Sequence, residues 1–443
     1  GSEMCIRDRQ TLINLFILFF LFSCQSYEFE NIEINDTPIE NNPYKVSIDE
    51  AKDIALNFMK TFQKTPAAST RSAGISIENV EVVKVNKAAT RSAGIENGMD
   101  TLLYAVNFSN NNGYILVGAD RRTDPIFGII DNGSFSDESI TTNPNFAFFL
   151  DLALGKAVYD ILKNDTVKIV NTRSINDYDD VYGTAYNLSS KWGQGAPYNQ
   201  YCPGPYTGCV ATATAQILSF FPTIGSVNWQ DGSSYGSSVL HWKQIATDCF
   251  RYKGILNTVT TPQSANEVAH LMRYLGVALK AEYKSDGTSI ESKNAINWLN
   301  DYASLKASGL KKYDADQVFM AANRFSDKIV YMRGNRGKKS FVGITITYTG
   351  GHAWIADGSF TATRKSDGQR VNLFHFNWGW DGRSNGYFPA AVFDSSNPAI
   401  NDSELPGILS LDNDGTSGNN YKYNVEYSIV ENPNRPESGG TIK

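Results

Sequence analysis

The segment TGCVATATAQIL, Thr207–Leu218, sets a cysteine directly behind a glycine and in front of a run of small helix formers. Pro203, Gly204, Pro205 and Gly208 break regular structure ahead of Cys209, whereas Val210 to Phe221 favours a helix that stops at Pro222. The pattern predicts Cys209 at a helix N-terminus, where free backbone N–H groups and the macrodipole favour a thiolate. A small buried core residue is the commoner fate of a single cysteine. Taken alone, the segment leaves nucleophile and core residue both open.

Further along the chain, Gly350-Gly351-His352-Ala353-Trp354-Ile355-Ala356-Asp357-Gly358 follows an alternating run, Phe341 to Tyr348. His352 is therefore expected at the start of a strand, beside glycines that let another backbone approach. A second strand, Val371 to Phe376, leads into Asn377-Trp378-Gly379-Trp380-Asp381-Gly382. An asparagine can accept the far imidazole N–H and set its tautomer, while a flanking indole shields that bond from water. Cysteine, histidine and asparagine in this order can act as nucleophile, base and orienter. The chain has four histidines. His270 reads as a partly buried residue of an amphipathic helix with Val268, Leu271 and Leu275, and His241 sits beside Trp242 in a short apolar turn. His375 shares a strand face with Asn377 and competes with His352 for the role of base. An oxyanion needs two donors, each worth roughly 3 kcal/mol. The Cys209 N–H is one candidate, and Gln194, between glycines in Trp192 to Asn199, is the other.

Four ordered blocks carry a resemblance: WGQGAPYNQYCP, GCVATATAQIL, GGHAWIADG and FHFNWGWDG. Together they resemble the streptopain family of bacterial secreted cysteine peptidases, the C10 group of the papain-like clan, over Tyr182 to Gly386. The resemblance implies an α+β fold with a papain-like two-lobed domain, one helical lobe and one antiparallel sheet lobe, preceded by an α+β pro-domain. By that resemblance Cys209 is the nucleophile, His352 the general base and acid, and Gln194 the oxyanion donor, with Asn377 and Trp378 holding the histidine. Gly351, Thr288 and Trp380 would contact substrate. Ser384 to Gly386 and Asp412 to Asn420 would be loops near the cleft, matched in character alone. The family is made as zymogens and prefers a bulky apolar residue one position before the scissile one. No metal and no organic cofactor is required.

A chain of 443 residues is long enough for two domains with separate cores. Arg7 and Arg9 precede the apolar run Leu12 to Phe22, which is too short to span a bilayer core of about 30 Å but suits an export signal. Leu21-Phe22-Ser23-Cys24 resembles a bacterial lipobox; an ordinary signal peptide with a chance cysteine is the alternative. The expected organisation is 1–24 signal, 25–45 flexible tether, 46–173 inhibitory pro-domain and 174–443 catalytic domain. Ser47 and Glu50 form a capping box for a helix burying Ala51, Ile54, Ala55, Phe58 and Met59. Val80 to Val85, Leu102 to Phe108, Tyr114 to Asp120 and Pro125 to Asp131 read as strands, and Pro144 to Leu162 as an apolar helix giving this half its own core. Thr-Arg-Ser recurs at Thr70, Thr90 and Thr172, either as polar loops or as exposed cleavage sites.

Past the signal, Cys202, Cys209 and Cys249 remain, so one thiol stays free. A Cys202–Cys249 bridge and an all-reduced set are both open. A net charge of -6 without long Lys/Arg runs argues against nucleic acid as a partner. The expected partners are protein or peptide substrates, the chain's own pro-domain, and a membrane through a lipid on Cys24. Location follows as the bacterial outer membrane or cell surface, with release as a variant. Two rivals compete: a serine hydrolase at Gly232-Ser233-Ser234-Tyr235-Gly236, set in a polar tract unlike a nucleophile elbow, and a catalytically silent surface-binding lipoprotein on a peptidase fold.

Overall fold

A computed structural model describes residues 42–68, 75–84, 100–136, 143–164, 178–231, 233–251, 262–323, 327–335, 351–393 and 424–434. Helix α1, Ile48–Phe62, opens as its capping box requires, with Ser47 Oγ accepting the Glu50 N–H at 3.2 Å. Its buried face carries Ala51, Ile54, Ala55, Phe58 and Met59. Strands β1 (Ile77–Lys84), β2 (Thr101–Phe108), β3 (Tyr114–Gly118) and β4 (Ile126–Ile130) follow as an antiparallel meander. Helix α2, Pro144–Lys163, starts with Pro at its first turn and Asn143 as N-cap. It is buried almost all round, unlike a surface helix with one apolar stripe.

Beyond β5 (Tyr178–Gly183) comes a helical region. It comprises α3 (Cys209–Phe220), the hairpin β6 (Ser226–Asp231) and β7 (Ser234–Val239), α4 (Trp242–Arg251), α5 (Pro262–Ala278), the short pair β8 (Glu282–Tyr283) and β9 (Thr288–Ser289), and α6 (Ser292–Asp301). Two short strands, β10 (Lys306–Ala307) and β11 (Lys311–Lys312), and helix α7 (Ala315–Ala321) lead to the long strands. These are β12 (Lys328–Asn335), β13 (His352–Arg364), β14 (Arg370–Asn377), β15 (Gly386–Pro389) and β16 (Asn424–Glu431).

Twelve strands form one antiparallel sheet in the order β1-β2-β3-β4-β15-β14-β13-β12-β16-β10, with β5 added on β13 and β11 on β16. The N-terminal meander joins the rest through β4 and β15, with Ile130 opposite Gly386 and Ile129 opposite Tyr387. Gly386 permits that approach, because a Cβ there would lie 2.1 Å from Ile129 O.

The sequence suggests a separate core for the N-terminal half, and the structure differs. Phe58 and Phe62 of α1 pack with Phe360 and Tyr387, while Phe149 of α2 packs with Trp378, Phe388 and Phe393. Each side of α2 thus faces protein, and Lys156, buried with it, is held by Asp124 at 3.0 Å and Asp160 at 2.5 Å. A third cluster, around α3, α5 and α6, makes the helical lobe. Among the described residues, no helix is long and apolar enough to cross a membrane. Residues 1–24 and the three Thr-Arg-Ser peptides, like Phe341 to Tyr348 and Asp412 to Asn420, lie outside the described residues.

Candidate active site

Cys209 is the first residue of α3, preceded by Gly208 at φ 92, a left-handed conformation that glycine adopts without strain. Space matters there too: a Cβ on Gly208 would lie 3.2 Å from Thr288 Cγ2 and 3.4 Å from Ile290. The Cys209 thiol is half-buried and donates weakly to Gly351 O, 3.8 Å away. Burial pushes this thiol up from 9.0, while the backbone N–H groups of Ala353, Val210 and Cys209 pull the other way. The residue directly before His352 therefore meets the sulfur.

His352 opens β13, as its glycine-flanked position suggests, and is buried at 7% exposure. Its ring lies 5.5 Å from that of Phe148 on α2, at 42°. Phe148 fits because Gly334, opposite His352 in β12, has no side chain; a Cβ would lie 2.6 Å from the phenyl ring. One turn earlier on α2, Asn145 Nδ2 donates to Ala353 O at 2.9 Å and Trp378 O at 2.7 Å. Asn143 Nδ2 donates to Arg383 O at 2.9 Å. The first turn of α2 thus grips both segments that carry the candidate base and its orienter.

Asn377 sits opposite Ile355 at the end of β14. Its Nδ2 donates to Ser190 O at 2.7 Å and its Oδ1 accepts the Gly379 N–H at 3.2 Å. The Trp378 indole donates to Ser384 O at 2.8 Å and packs against Trp354, 5.4 Å between rings. Ser384 to Gly386, expected as a cleft loop, is buried. Asn385 Oδ1 accepts the Trp378 N–H at 3.0 Å, and Gly386 enters the sheet. The segment is needed for the tryptophan's support, which keeps it out of solvent.

Gln194 is 5% exposed, and its carbonyl accepts the Thr207 N–H at 2.9 Å, two residues before Cys209. Thr288 Oγ1 donates to Tyr206 O at 2.6 Å, and the Trp380 ring lies 6.0 Å from that of Tyr206. Gly351, Thr288 and Trp380 therefore gather around Tyr206 to Cys209.

The rival base has a different environment. His375 is 1% exposed and stacked on Tyr186 at 4.2 Å, with Nδ1 2.6 Å from Asp357 Oδ1 and Nε2 3.0 Å from Asp131 Oδ2. Burial alone would lower its pKa, but the two carboxylates outweigh it and push the value up to about 9. An imidazolium held this way is a poor general base at neutral pH.

Other expectations resolve as follows. His270 stacks with the rings of Tyr201 and Trp229, and His241 is paired with Glu267 at 2.7 Å. Cys202 is a free thiol, and the side chain of Cys249, its possible partner, lies outside the described residues. Ser234 is exposed on a two-stranded hairpin, which lacks the strand-to-helix turn that a serine nucleophile elbow needs. Sequence reasoning missed Asn145, Phe148, Asp131, Thr207 and Thr212. Asp357 alone left a trace, as a carboxylate inside an apolar strand before glycine.

Comparison with known proteins matches residues 192–388 to the Peptidase C10 family and residues 43–155 to the Spi protease inhibitor. Streptopain of Streptococcus pyogenes is 25% identical over 387 residues, 79% of this chain and 85% of that protein. The thiol protease/hemagglutinin PrtT of Porphyromonas gingivalis is 24% identical over 370 residues, 77% of this chain and 38% of that protein. Among solved structures, a fragment of Prevotella intermedia prointerpain A aligns with a TM-score of 0.47 and 19% identity, over 80% of this chain and 98% of that one.

Proposed function

This chain is a cysteine peptidase of the Peptidase C10 family carrying a propeptide inhibitor region in the same polypeptide, and from that premise we propose that Cys209 and His352 are its catalytic pair. The observation that supports the pairing is the 3.8 Å contact of the Cys209 sulfur with the carbonyl oxygen of Gly351, the residue directly before His352. In the active state Cys209 thiolate, paired with the His352 imidazolium, attacks a peptide carbonyl and forms a C–S bond. The oxyanion rests on Gln194 and the Cys209 N–H. His352 then protonates the leaving amine, and a water it activates hydrolyses the thioester. Asn377 orients the imidazole, Trp378 backs it, and Gly351, Thr288 and Trp380 contact substrate.

We read the described conformation as the latent one. Helix α2 lies over the site, Phe148 covers the His352 ring, and Asn377 is bonded to Ser190 and Gly379. A thiol pushed up by burial is a weak nucleophile. Residues 46–173 are the proposed pro-domain and 174–443 the proposed catalytic domain. Removal of the pro-domain frees His352 to face both Cys209 and Asn377. Export to the bacterial outer membrane or surface, with a lipid on Cys24, completes the proposal.

A thiol-directed epoxide inhibitor tests the site. After processing, the adduct should map to Cys209 alone, and Cys209→Ala should accumulate as full-length precursor. Equal labelling of Cys202, Cys209 and Cys249 would refute the assignment of the nucleophile.

A further inference from the structure

Thr207 and Thr212 flank the nucleophile, and the chemistry above uses neither. Both are completely buried, and their hydroxyl oxygens lie 2.8 Å apart. The Thr207 N–H donates to Gln194 O at 2.9 Å, and the Thr212 hydroxyl reaches Gly193 O at 3.5 Å. Each hydroxyl has one proton to give. With the Thr212 proton directed at Gly193 O, the Thr207 hydroxyl must donate to Thr212 Oγ1, which orders a chain from Thr207 through Thr212 to the loop.

One turn further along α3, Gln216 Oε1 accepts the Trp192 N–H at 3.3 Å. Residues 192, 193 and 194 are thus each tied to the nucleophile helix or to the turn that starts it. The opposite side is closed as well. Asp381 donates its N–H to Trp192 O at 3.3 Å, and a Cβ on Gly193 would lie 2.2 Å from Asp381 Oδ1. Between helix and carboxylate, the loop has no freedom to slide.

We infer that Thr207 and Thr212 are positioning residues that set the spacing between the Gln194 carboxamide and the Cys209 N–H, the two donors proposed for the oxyanion. The inference rests on the reading of Gln194 given above. Preorganised donors act only where the charge develops, so a displacement of about 1 Å costs on the order of a hundredfold in rate.

The test uses the processed protein and an internally quenched peptide selected from a peptide library for cleavage by it. Thr212→Val keeps the side chain's size and removes the hydroxyl; it should lower kcat about tenfold to a hundredfold with KM within about twofold. Alkylation of Cys209 by iodoacetamide needs no oxyanion hole and should keep its wild-type rate. Thr212→Ser and Thr207→Ser, which retain the hydroxyls, should restore kcat. Gln194→Ala is measured in parallel, alone and combined with Thr212→Val. Because the threonines act through Gln194, the double variant should be little slower than Gln194→Ala.

If Gln194→Ala loses activity but Thr212→Val keeps kcat within about twofold, the positioning role is refuted and the oxyanion reading stands. Equal additive losses in the double variant, or a parallel fall in iodoacetamide labelling, would also refute it. A silent Gln194→Ala overturns both the inference and the reading beneath it.

Discussion

Replacing Asp131 with asparagine should loosen the N-terminal meander from strands β13 and β14 at one identifiable point. Asp131 follows β4, and its carboxylate reaches His375 Nε2 at 3.0 Å, while its N–H donates to Asn385 O at 2.9 Å. Breaking one side of a buried ion pair costs about 3–5 kcal/mol when the remaining charge is left alone. Here His375 keeps Asp357 at 2.6 Å, whose other oxygen accepts the Leu188 N–H at 2.8 Å, and the carboxamide introduced by Asp131→Asn could still accept one hydrogen bond. The loss should therefore be close to that of one charged hydrogen bond, about 2 kcal/mol.

The sign with pH follows from the raised pKa. His375 moves from an ordinary 6.5 to about 9. Its contribution is complete below pH 6.5 and is lost as pH rises through about 9. The charged and titratable groups around it are Asp131 and Asp357, with the Tyr387 ring 5.1 Å away and Tyr186 stacked on it under Lys191. Urea unfolding of the Cys209→Ala full chain, which lacks the proposed nucleophile, gives the measurement. Asp131→Asn in that background should be less stable by about 2 kcal/mol at pH 6.5, and the difference should shrink by about pH 10. A difference unchanged between the two pH values would refute the charge argument. No destabilisation at pH 6.5 would refute the latch itself.

Phe148→Ala should uncover the His352 ring in the unprocessed chain, raising the rate at which iodoacetamide alkylates Cys209 at pH 7. In the unmutated precursor the thiol is pushed above 9.0, so its alkylation should climb only in alkaline buffer, and its midpoint should fall after processing. Gly386→Ala should disrupt the β4–β15 pairing, because the new methyl would meet Ile129 O. Its readout is accelerated proteolytic loss of residues preceding β5 from the Cys209→Ala precursor.

Some of this protein is written locally. Gly208 and the prolines before it stop regular structure, and the apolar run behind them is helical, so Cys209 at a helix start is readable from a dozen residues. The capping box at Ser47 and Glu50 and the span of α2 are local in the same way. A period of two or 3.6 states which faces are buried, but not what buries them. Hence α2, rich in apolar residues, was legible as a helix and gave no sign that Trp378 and His352 lie against it. The same limit hides the buried Ser384 to Gly386 segment, whose small polar residues resemble a surface loop until Trp378 is placed beside them.

By itself the sequence determined α1, the meander strands, α2, the start of α3 and the strands that carry His352 and Asn377, together with the order of cysteine, histidine and asparagine along them and the resemblance those blocks carry. Tertiary structure decided that β4 pairs with β15, that Phe148 meets His352, and that Asp131 reaches His375 across 244 residues of chain. The physical reason is range. Helix starts and strand periods come from neighbours a few residues apart, whereas a side chain's partner is chosen by the packing of every element around it.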